Sequence, residues 1–186
     1  TKGAIEDFSI DPLTYEPMNI TIGNVRPKGI CGSGLIIITA TLFELGIVNS
    51  RGKFDRDLQT PRIRATDGIH EYVLAWEKDT QIDRDIVLTE IDIENLVRAK
   101  GAIYSGAMTL LEEVGLSMAD VERIILAGGF GSYVDLEKAM TIGLLPETDP
   151  DTITFVGNGS LMGAKMSSFT NRIRQDVVEV TKKMTN

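Results

Sequence analysis

The spacing of apolar residues changes along the chain, and these changes predict alternating strands and helices. Short segments with strand character occupy residues 18–22, 28–30, 123–127 and 152–156. Apolar residues three or four positions apart predict helices over residues 89–113 and 162–180. A shorter helix is predicted over residues 135–142, where Gly143 and Pro146 follow. This order of elements predicts an α/β fold rather than a helical bundle or a β-sandwich.

Residues 35–47 contain signals for both a strand and a helix. Ile36, Ile37 and Ile38 are β-branched, which favours a strand. The preceding glycine turn and the length of the run up to Gly46 favour a buried helix that ends at a glycine. We interpret the segment as a helix.

Residues 62–88 consist of short strand-like runs with turn signals between them. Asp67-Gly68 lies between two of these runs, and this dipeptide is a strong signal for a hairpin. Residues 51–88 are therefore interpreted as a small β-rich insertion.

The helix over residues 89–113 has a well-defined predicted start. The Thr89 hydroxyl can cap the first amides, and Glu90 and Asp92 complement the positive end of the helix dipole. Gly115 ends it. Its apolar positions predict one buried face, formed by Ile93, Leu96, Val97, Ala99, Ile103, Ala107, Leu110 and Leu111.

Composition narrows the classes of protein that the chain can belong to. With 186 residues, 42% of them hydrophobic, the chain can form one domain or two small lobes. A net charge of -8 argues against nucleic acid or an anionic membrane as the partner. No apolar run approaches the roughly 20 residues of a membrane span. The one cysteine, Cys31, excludes a disulfide framework and fits a reducing cytoplasm, so we expect a cytoplasmic protein.

The apolar run at residues 124–126 leads directly into Gly128-Gly129-Phe130-Gly131. We expect this strand to be buried on both faces, and ligands of open α/β sheets bind beyond the carboxyl ends of such strands. Glycines there would let the backbone approach a flat ring or a phosphate closely. An ordinary strand-to-helix turn is the alternative. Neither a dinucleotide-binding fingerprint nor a P-loop pattern is present.

Two further glycine stretches have two interpretations each. Gly32, Ser33 and Gly34 either present amides and a hydroxyl to a phosphate at a helix N-terminus or form a plain glycine turn. Residues 157–164 either act as a hinge between lobes or provide tight helix packing. Cys31, just before a buried helix, is interpreted as a packing residue.

Several of these segments together resemble one family. L-A-G-G-F-G-S-Y-V-D-L-E-K-A-M-T-I-G-L-L-P and F-V-G-N-G-S-L-M-G-A-K are similar to the C-terminal ATPase region of reductive activators of corrinoid proteins. R-P-K-G-I-C-G-S-G-L-I, G-I-V-N-S-R-G-K-F and L-T-E-I-D-I-E-N-L-V-R-A-K-G-A-I-Y-S-G fit the same family in the same order. The family belongs to the acetate kinase, sugar kinase, chaperone and actin superfamily, and the resemblance covers nearly the whole chain.

The resemblance implies a fold and an activity. The fold would be the second lobe of an actin-like, ribonuclease H-like ATPase domain, with a mixed sheet and flanking helices. Such activators use ATP and magnesium to return the cob(II) form of a corrinoid methyl-transfer protein to cob(I). The electron passes through an iron–sulfur domain, which a chain with one cysteine cannot supply. We therefore expect residues 1–186 to be the C-terminal ATPase lobe of a larger protein, with the cluster and the catalytic carboxylate on other parts.

The resemblance also assigns residues. Gly128, Gly129, Phe130 and Gly131 would form the adenosine-binding loop, and residues 157–164 the second connection between lobes. Arg98 and Lys100 lie on the helix that flanks the adenine in this superfamily, and a solvated charged face is the alternative for both. The chain alone would be a poor ATPase, and a homodimer is one assembly that it allows.

Two other functions stay open at this point. One is a related kinase or dehydratase activator of the same superfamily. The other is a non-catalytic interaction or dimerisation module whose glycine stretches only pack.

Overall fold

The computed structural model describes residues 1–128 and 134–184. The chain divides into two compact units, residues 1–121 with 134–150 and residues 122–133 with 151–186, which we call unit 1 and unit 2. The strands are β1 (Ala4–Ile10), β2 (Pro17–Thr21), β3 (Gly29–Ile30), β4 (Ile63–Thr66), β5 (Ile69–Ala75), β6 (Ile86–Thr89), β7 (Ile124–Leu126) and β8 (Ile153–Phe155). The helices are α1 (Gly32–Glu44), α2 (Glu90–Glu113), α3 (Leu136–Thr141), α4 (Gly159–Phe169) and α5 (Asn171–Lys183). None of the helices described has both the length and the apolar character needed to cross a bilayer.

The first sheet of unit 1 is mixed. Its strand order is β2-β1-β3, with β2 antiparallel and β3 parallel to β1. The apolar pattern predicts β2 and β3 but not β1, whose apolar residues are interrupted by the acidic pair Glu6 and Asp7. Ile5 and Phe8 of β1 nevertheless lie in the core.

The second sheet of unit 1 is antiparallel, in the order β4-β5-β6. Asp67 and Gly68 connect β4 to β5 with φ angles of 51° and 79°, which confirms the predicted hairpin and its left-handed turn residues. Tyr72 and Leu74 of β5 pack in the same cluster as Ile5 and Leu42 of the first sheet and α1. The two sheets of unit 1 therefore share one core, and the idea that residues 51–88 are an insertion stays a prediction.

Helix α1 occupies most of the segment for which strand and helix signals conflicted, so the helix interpretation is confirmed. Buried residues occur all round it, including Ile36, Ile38 and Leu42, as expected of a core helix. It ends just before Gly46, whose φ of 69° is readily adopted only by glycine. The length of the apolar run was thus a better guide than β-branching.

Helix α2 begins with the predicted cap but does not bury the predicted face. Thr89 and Asp92 form a capping box, in which each side chain accepts from the other residue's backbone N–H. Ile93 is buried in the core that includes β5 and β6, whereas Ile103 and Leu110 are 57% and 66% exposed. The sequence pattern correctly identified one apolar face, but neighbouring elements cover only its N-terminal part.

Helix α3 forms a second, smaller cluster in unit 1. Ala139 and Ile142 are buried there against Ile36 and Ala40 of α1. The Asp135 carboxylate caps α3 by accepting from the Lys138 N–H at 2.9 Å. The predicted short helix is confirmed.

Unit 2 pairs β7 and β8 in parallel, with Ile124 opposite Ile153. Ile125 is 59% exposed, so the expectation that this strand is buried on both faces was wrong. The prediction of one continuous helix over residues 162–180 is also wrong, because Thr170 divides this segment into α4 and α5. That residue has extended dihedral angles, and its hydroxyl caps α5 by accepting from Ile173 N–H at 3.2 Å.

Candidate functional site

Cys31 caps the N-terminus of α1. Its thiol donates to the Ile5 carbonyl and contacts the Ser33 hydroxyl, both at 3.1 Å, while its sulfur accepts from Gly34 N–H at 3.4 Å. Ser33 is buried. The Gly34 amide and the Ser33 hydroxyl are thus engaged within the protein by Cys31, the half-buried N-cap residue of α1, and the interpretation of Cys31 as a packing residue stays a prediction.

Gly34 is required by close packing. A Cβ atom built on this residue would lie 2.1 Å from the carbonyl oxygen of Ile5, far inside van der Waals contact. This contact between α1 and β1 supports the interpretation of Gly34 as a packing glycine. Gly32 lies two residues earlier and lines a cavity.

Gly32 lines an open cavity at the N-terminus of α1. The cavity has a volume of about 540 Å³, and its lining includes the cations Lys28 and Arg84 and the acids Asp85 and Asp92. Volumes of this order are typical of small-molecule sites.

The charges around the Gly32 cavity favour an anion. Asp85 is paired with Arg64 at 2.8 Å, and Asp92 is engaged in the cap of α2. Within residues 1–128 and 134–184, neither Lys28 nor Arg84 forms a salt bridge. The first turn of α1 contains no acidic residue, so its dipole adds to the positive potential. Two cations and a helix N-terminus suit phosphate oxygens.

Lys28 and Arg84 are not among the site residues predicted from the sequence. Arg84 lies in an acidic segment that resembles an ordinary solvated loop, and Lys28 precedes a short strand. The two residues are 56 positions apart along the chain. No local motif links them, because the fold alone brings them to one cavity.

Lys100 lines a different cavity from Gly32, between α1, α2 and α3. Its ammonium donates to the carbonyl oxygen of Ile142 at 2.5 Å. Arg98, two positions earlier, is 72% exposed and forms an ion pair with Glu94 at 2.5 Å. The described structure therefore does not gather Lys100, Arg98 and Gly32 into one cavity.

In unit 2 the two glycine stretches meet at the carboxyl ends of β7 and β8. Gly128 has a φ of 118°, and its N–H donates to the carbonyl oxygen of Gly157 at 2.5 Å. A Cβ atom on Gly159 would lie 3.4 Å from that of Ala127. The Gly128 amide therefore already has a hydrogen-bond acceptor in residues 157–164. Gly129, Phe130 and Gly131 lie outside the described residues.

Metal ligands are not clustered in the described part of the chain. Residues 1–128 and 134–184 contain no group of three or more His, Cys, Asp or Glu side chains arranged to hold a metal ion. The single cysteine of the sequence cannot provide the four thiolates that iron–sulfur clusters generally use.

A family model described as the C-terminal domain of RACo, the ASKHA domain, matches residues 1–186. The chain belongs to this family. The ASKHA domain is the acetate kinase, sugar kinase, chaperone and actin fold, so the predicted actin-like α/β fold is confirmed.

Two relatives have names that agree with this family. The chain is 33% identical over 175 residues to the corrinoid activation enzyme RamQ of Eubacterium limosum, covering 89% of this chain and 29% of that protein. It is 37% identical over 100 residues to a [Co(II) methylated amine-specific corrinoid protein] reductase of Methanosarcina barkeri, covering 54% and 18%.

A solved structure is also closely similar. A reductive activator for corrinoid, iron–sulfur protein matches with a TM-score of 0.89 and 43% identity, over 100% of this chain and 30% of that one. The chain thus spans less than a third of the length of the relatives it matches.

Proposed function

We propose that this ASKHA domain is the nucleotide-binding part of an ATP-dependent reductive activator. The activator returns the cob(II) form of a corrinoid methyl-transfer protein to cob(I). The observation that carries the proposal is the match over the whole chain to a reductive activator at 43% identity. The names of two further relatives, a corrinoid activation enzyme and a Co(II) corrinoid protein reductase, support the same partner.

The phosphate contacts of this function are assigned to the N-terminus of α1. Gly32 lines the cavity beside Lys28 and Arg84, so anionic oxygens there would receive both backbone and charged donors. Ser33 and Gly34 support this end of the helix through their contacts with Cys31 rather than through the ligand. Magnesium would arrive with the nucleotide, since the described residues hold no cluster of acids for it.

The adenosine contacts stay assigned by resemblance. They comprise Gly128, Gly129, Phe130 and Gly131, with Arg98 and Lys100 on α2. The use of the Gly128 N–H by Gly157 favours a role for Gly128 in shaping the chain rather than in donating to the ligand.

ATP is needed because the electron transfer is uphill. Binding or hydrolysis of ATP changes the relative stability of conformations only through different affinities for them, and this difference can drive the reduction. The electron comes from an iron–sulfur cluster on another part of the parent protein. A cytoplasmic location and a homodimer stay predictions from the sequence.

The test is a cobalt spectrum of the corrinoid protein in the presence of the full-length parent under anaerobic, reducing conditions. We expect the cob(II) band to disappear only when ATP is added. Hydrolysis of ATP with no change at cobalt would overturn the corrinoid partner, and a phosphorylated small-molecule product would instead favour a kinase.

Calorimetric measurement of ATP binding to the full-length parent tests the phosphate assignment. Lys28→Met and Arg84→Met should each weaken ATP binding roughly tenfold, the loss expected for one charge-assisted hydrogen bond. Lys182→Met is the matched control, because Lys182 is an exposed residue of α5 paired with Glu179. Unchanged ATP affinity in both cavity variants would reject the cavity as the phosphate site.

A further inference from the structure

The Gly32 cavity has two acids in its wall as well as two cations. Asp85 and Asp92 lie in the described lining beside Lys28 and Arg84. A free carboxylate repels a bound phosphate, whereas a carboxylate paired with a positive charge does so much less, because the two charges nearly cancel. The affinity of the cavity for an anion therefore depends on what holds these two acids.

Asp92 is held by the start of its own helix. The backbone N–H and the hydroxyl of Thr89 donate to its carboxylate at 2.9 Å and 2.6 Å. Asp92 also lies in the first turn of α2, where the positive end of the helix dipole offsets its charge. The charge of Asp92 is thus compensated within α2 and its cap.

Asp85 depends instead on a residue from another strand. Arg64 of β4 forms an ion pair with its carboxylate at 2.8 Å, and Glu77 N–H donates to the other carboxylate oxygen at 2.6 Å. The side chain of Asp85 is only 21% exposed, so solvent and salt screen this pair less than a pair on the open surface. Arg64 therefore supplies the positive charge that offsets Asp85.

Arg64 is held by contacts outside the cavity. Its Nε donates at 2.8 Å to Glu71, which lies directly opposite on β5, and its guanidinium lies 5.7 Å from the centre of the Trp76 ring. The Thr66 hydroxyl donates to the same Glu71 oxygen at 2.9 Å. Neither Arg64 nor Glu71 belongs to the described lining of the cavity. Arg64 thus contacts Asp85 without lining the cavity itself.

We propose that Arg64 is a positioning residue that makes the Gly32 cavity selective for phosphate. By pairing with Asp85, it keeps that carboxylate from repelling an anion and from pairing with Lys28 or Arg84 in place of the anion. Arg64 acts on the ligand through Asp85 and does not touch it. The inference rests on the proposed function and adds to it a residue that determines which charge the cavity accepts.

The first test removes the charge of Arg64 from the full-length parent. Calorimetry measures the binding of ATP, inorganic pyrophosphate and adenosine at a temperature where each protein is folded. Arg64→Met should weaken the binding of ATP and pyrophosphate roughly tenfold, the effect of one uncompensated charge near the ligand. Adenosine carries no phosphate, so its affinity should not change. An equal loss for all three ligands would indicate a general disturbance of the fold and would overturn the proposal.

Two double variants of equal net charge provide the matched comparison. Arg64→Met with Asp85→Asn removes the unpaired carboxylate, and the asparagine oxygen can still accept from Glu77 N–H. This variant should regain most of the affinity for ATP. Arg64→Met with Glu71→Gln leaves Asp85 unpaired in the cavity, so it should bind ATP as weakly as Arg64→Met alone. Equal affinities of the two double variants would exclude Asp85 as the cause and reject the proposal.

Ionic strength gives an independent readout. The difference in ATP affinity between Arg64→Met and the unaltered parent should shrink as salt is added, because salt screens the charge of a partly exposed carboxylate. A difference that does not depend on salt would contradict the charge argument. Where Arg64→Met does not fold, Arg64→Gln replaces it in every comparison, because a glutamine amide can still donate to Glu71.

Failure of the proposed function can be distinguished from failure of this inference. If the unaltered parent binds no ATP, the proposed function fails, and the role of Arg64 fails with it. If Lys28→Met and Arg84→Met weaken ATP binding but Arg64→Met does not, the cavity is the phosphate site and only the role of Arg64 fails.

Discussion

Gly34 shows how one missing side chain can determine the contact between two elements. The carbonyl oxygen of Ile5 accepts from Cys31 and lies only 2.1 Å from the position that a Cβ atom of Gly34 would occupy. The first turn of α1 can therefore approach β1 closely only with glycine at this position.

Replacement of Gly34 by alanine should lower the free energy of unfolding by roughly 3 kcal/mol, because the backbone of β1 cannot move aside without disturbing the sheet. Gly101→Ala is the control. Gly101 lies inside α2 with nothing within 4 Å of its Cβ position, so alanine should stabilise the protein by about 0.5–1 kcal/mol. Chemical denaturation measures both. Similar effects of the two substitutions would contradict the steric argument.

Arg62 and Glu16 form a partly buried ion pair beside β5. Arg62 is 8% exposed, donates to Glu16 at 3.2 Å and to the Val73 carbonyl at 3.2 Å, and lies 4.9 Å from the centre of the Trp76 ring. The hydrogen bond from Arg62 lowers the pKa of the Glu16 carboxyl below its ordinary value of 4.5. The folded protein therefore favours the ionised form of Glu16.

This pair should make stability depend on pH in the acid range. A carboxyl whose pKa is lowered by folding stabilises the protein above its unfolded pKa of 4.5, and this contribution is lost as pH falls through the lower folded value. Glu16→Gln should thus destabilise the protein at pH 7 but reduce its loss of stability below pH 4.5. Melting temperatures from pH 7 to pH 3 measure this, with exposed Glu6→Gln as the control. Parallel curves for Glu16→Gln and the unaltered protein would refute the argument.

At the scale of elements, helix starts are set by short polar side chains. Thr89 N–H donates to the Asp92 carboxylate at 2.9 Å, and Asp92 N–H donates to the Thr89 hydroxyl at 3.1 Å. Thr170 similarly caps α5 and separates it from α4. The two threonines differ in context, because Thr89 is the last residue of β6 whereas Thr170 interrupts a stretch of helical pattern.

Loss of the Thr89 cap should weaken the start of α2. Thr89→Ala removes the hydroxyl that accepts from Asp92 N–H, and we expect a loss of about 1 kcal/mol in the free energy of unfolding. Thr89→Ser keeps the acceptor and should recover most of it. Urea denaturation compares the three proteins, and equal loss in the alanine and serine variants would show that the methyl group, not the cap, matters.

At the scale of the whole molecule, burial is unequal between the two units. Among the residues described, the buried apolar side chains belong to unit 1 with the exception of Ile153. Tyr72 and Leu88 of the second sheet are fully buried, whereas Ile125 and Phe155 of β7 and β8 are 59% and 38% exposed. Cooperative stability should therefore be concentrated in unit 1.

Hydrogen exchange can measure the difference in local stability between unit 1 and unit 2. Amides of β5 should open only on global unfolding, while those of β7 and β8 should exchange at least roughly tenfold faster through local opening. Mass spectrometry of peptides from both strands in one sample provides an internal comparison. Equal protection of β5 and β7 would contradict the unequal distribution of stability.

Local signals were sufficient to predict most elements. The Asp67-Gly68 hairpin, the Thr89 cap and the glycine after α1 each depend on neighbouring residues, so the sequence reveals them without knowledge of the fold. The family resemblance rests on long segments of contiguous sequence, and the whole-chain match confirms it. Helix α1 was also predictable, because thirteen residues exceed the usual length of a buried strand.

Long-range contacts could not be predicted in this way. β1 is a strand because it pairs with β2 and β3, although its acidic residues obscure the apolar pattern. Lys28 and Arg84 line one cavity although they are far apart along the chain. Lys100 donates a hydrogen bond to Ile142 at the end of α3, 42 residues further along. Periodicity reveals which face of a helix is apolar, but it carries no information on which element covers that face. For that physical reason the partly exposed face of α2, the shared cavity of Lys28 and Arg84 and the hydrogen bond from Lys100 to Ile142 became visible only in the folded chain.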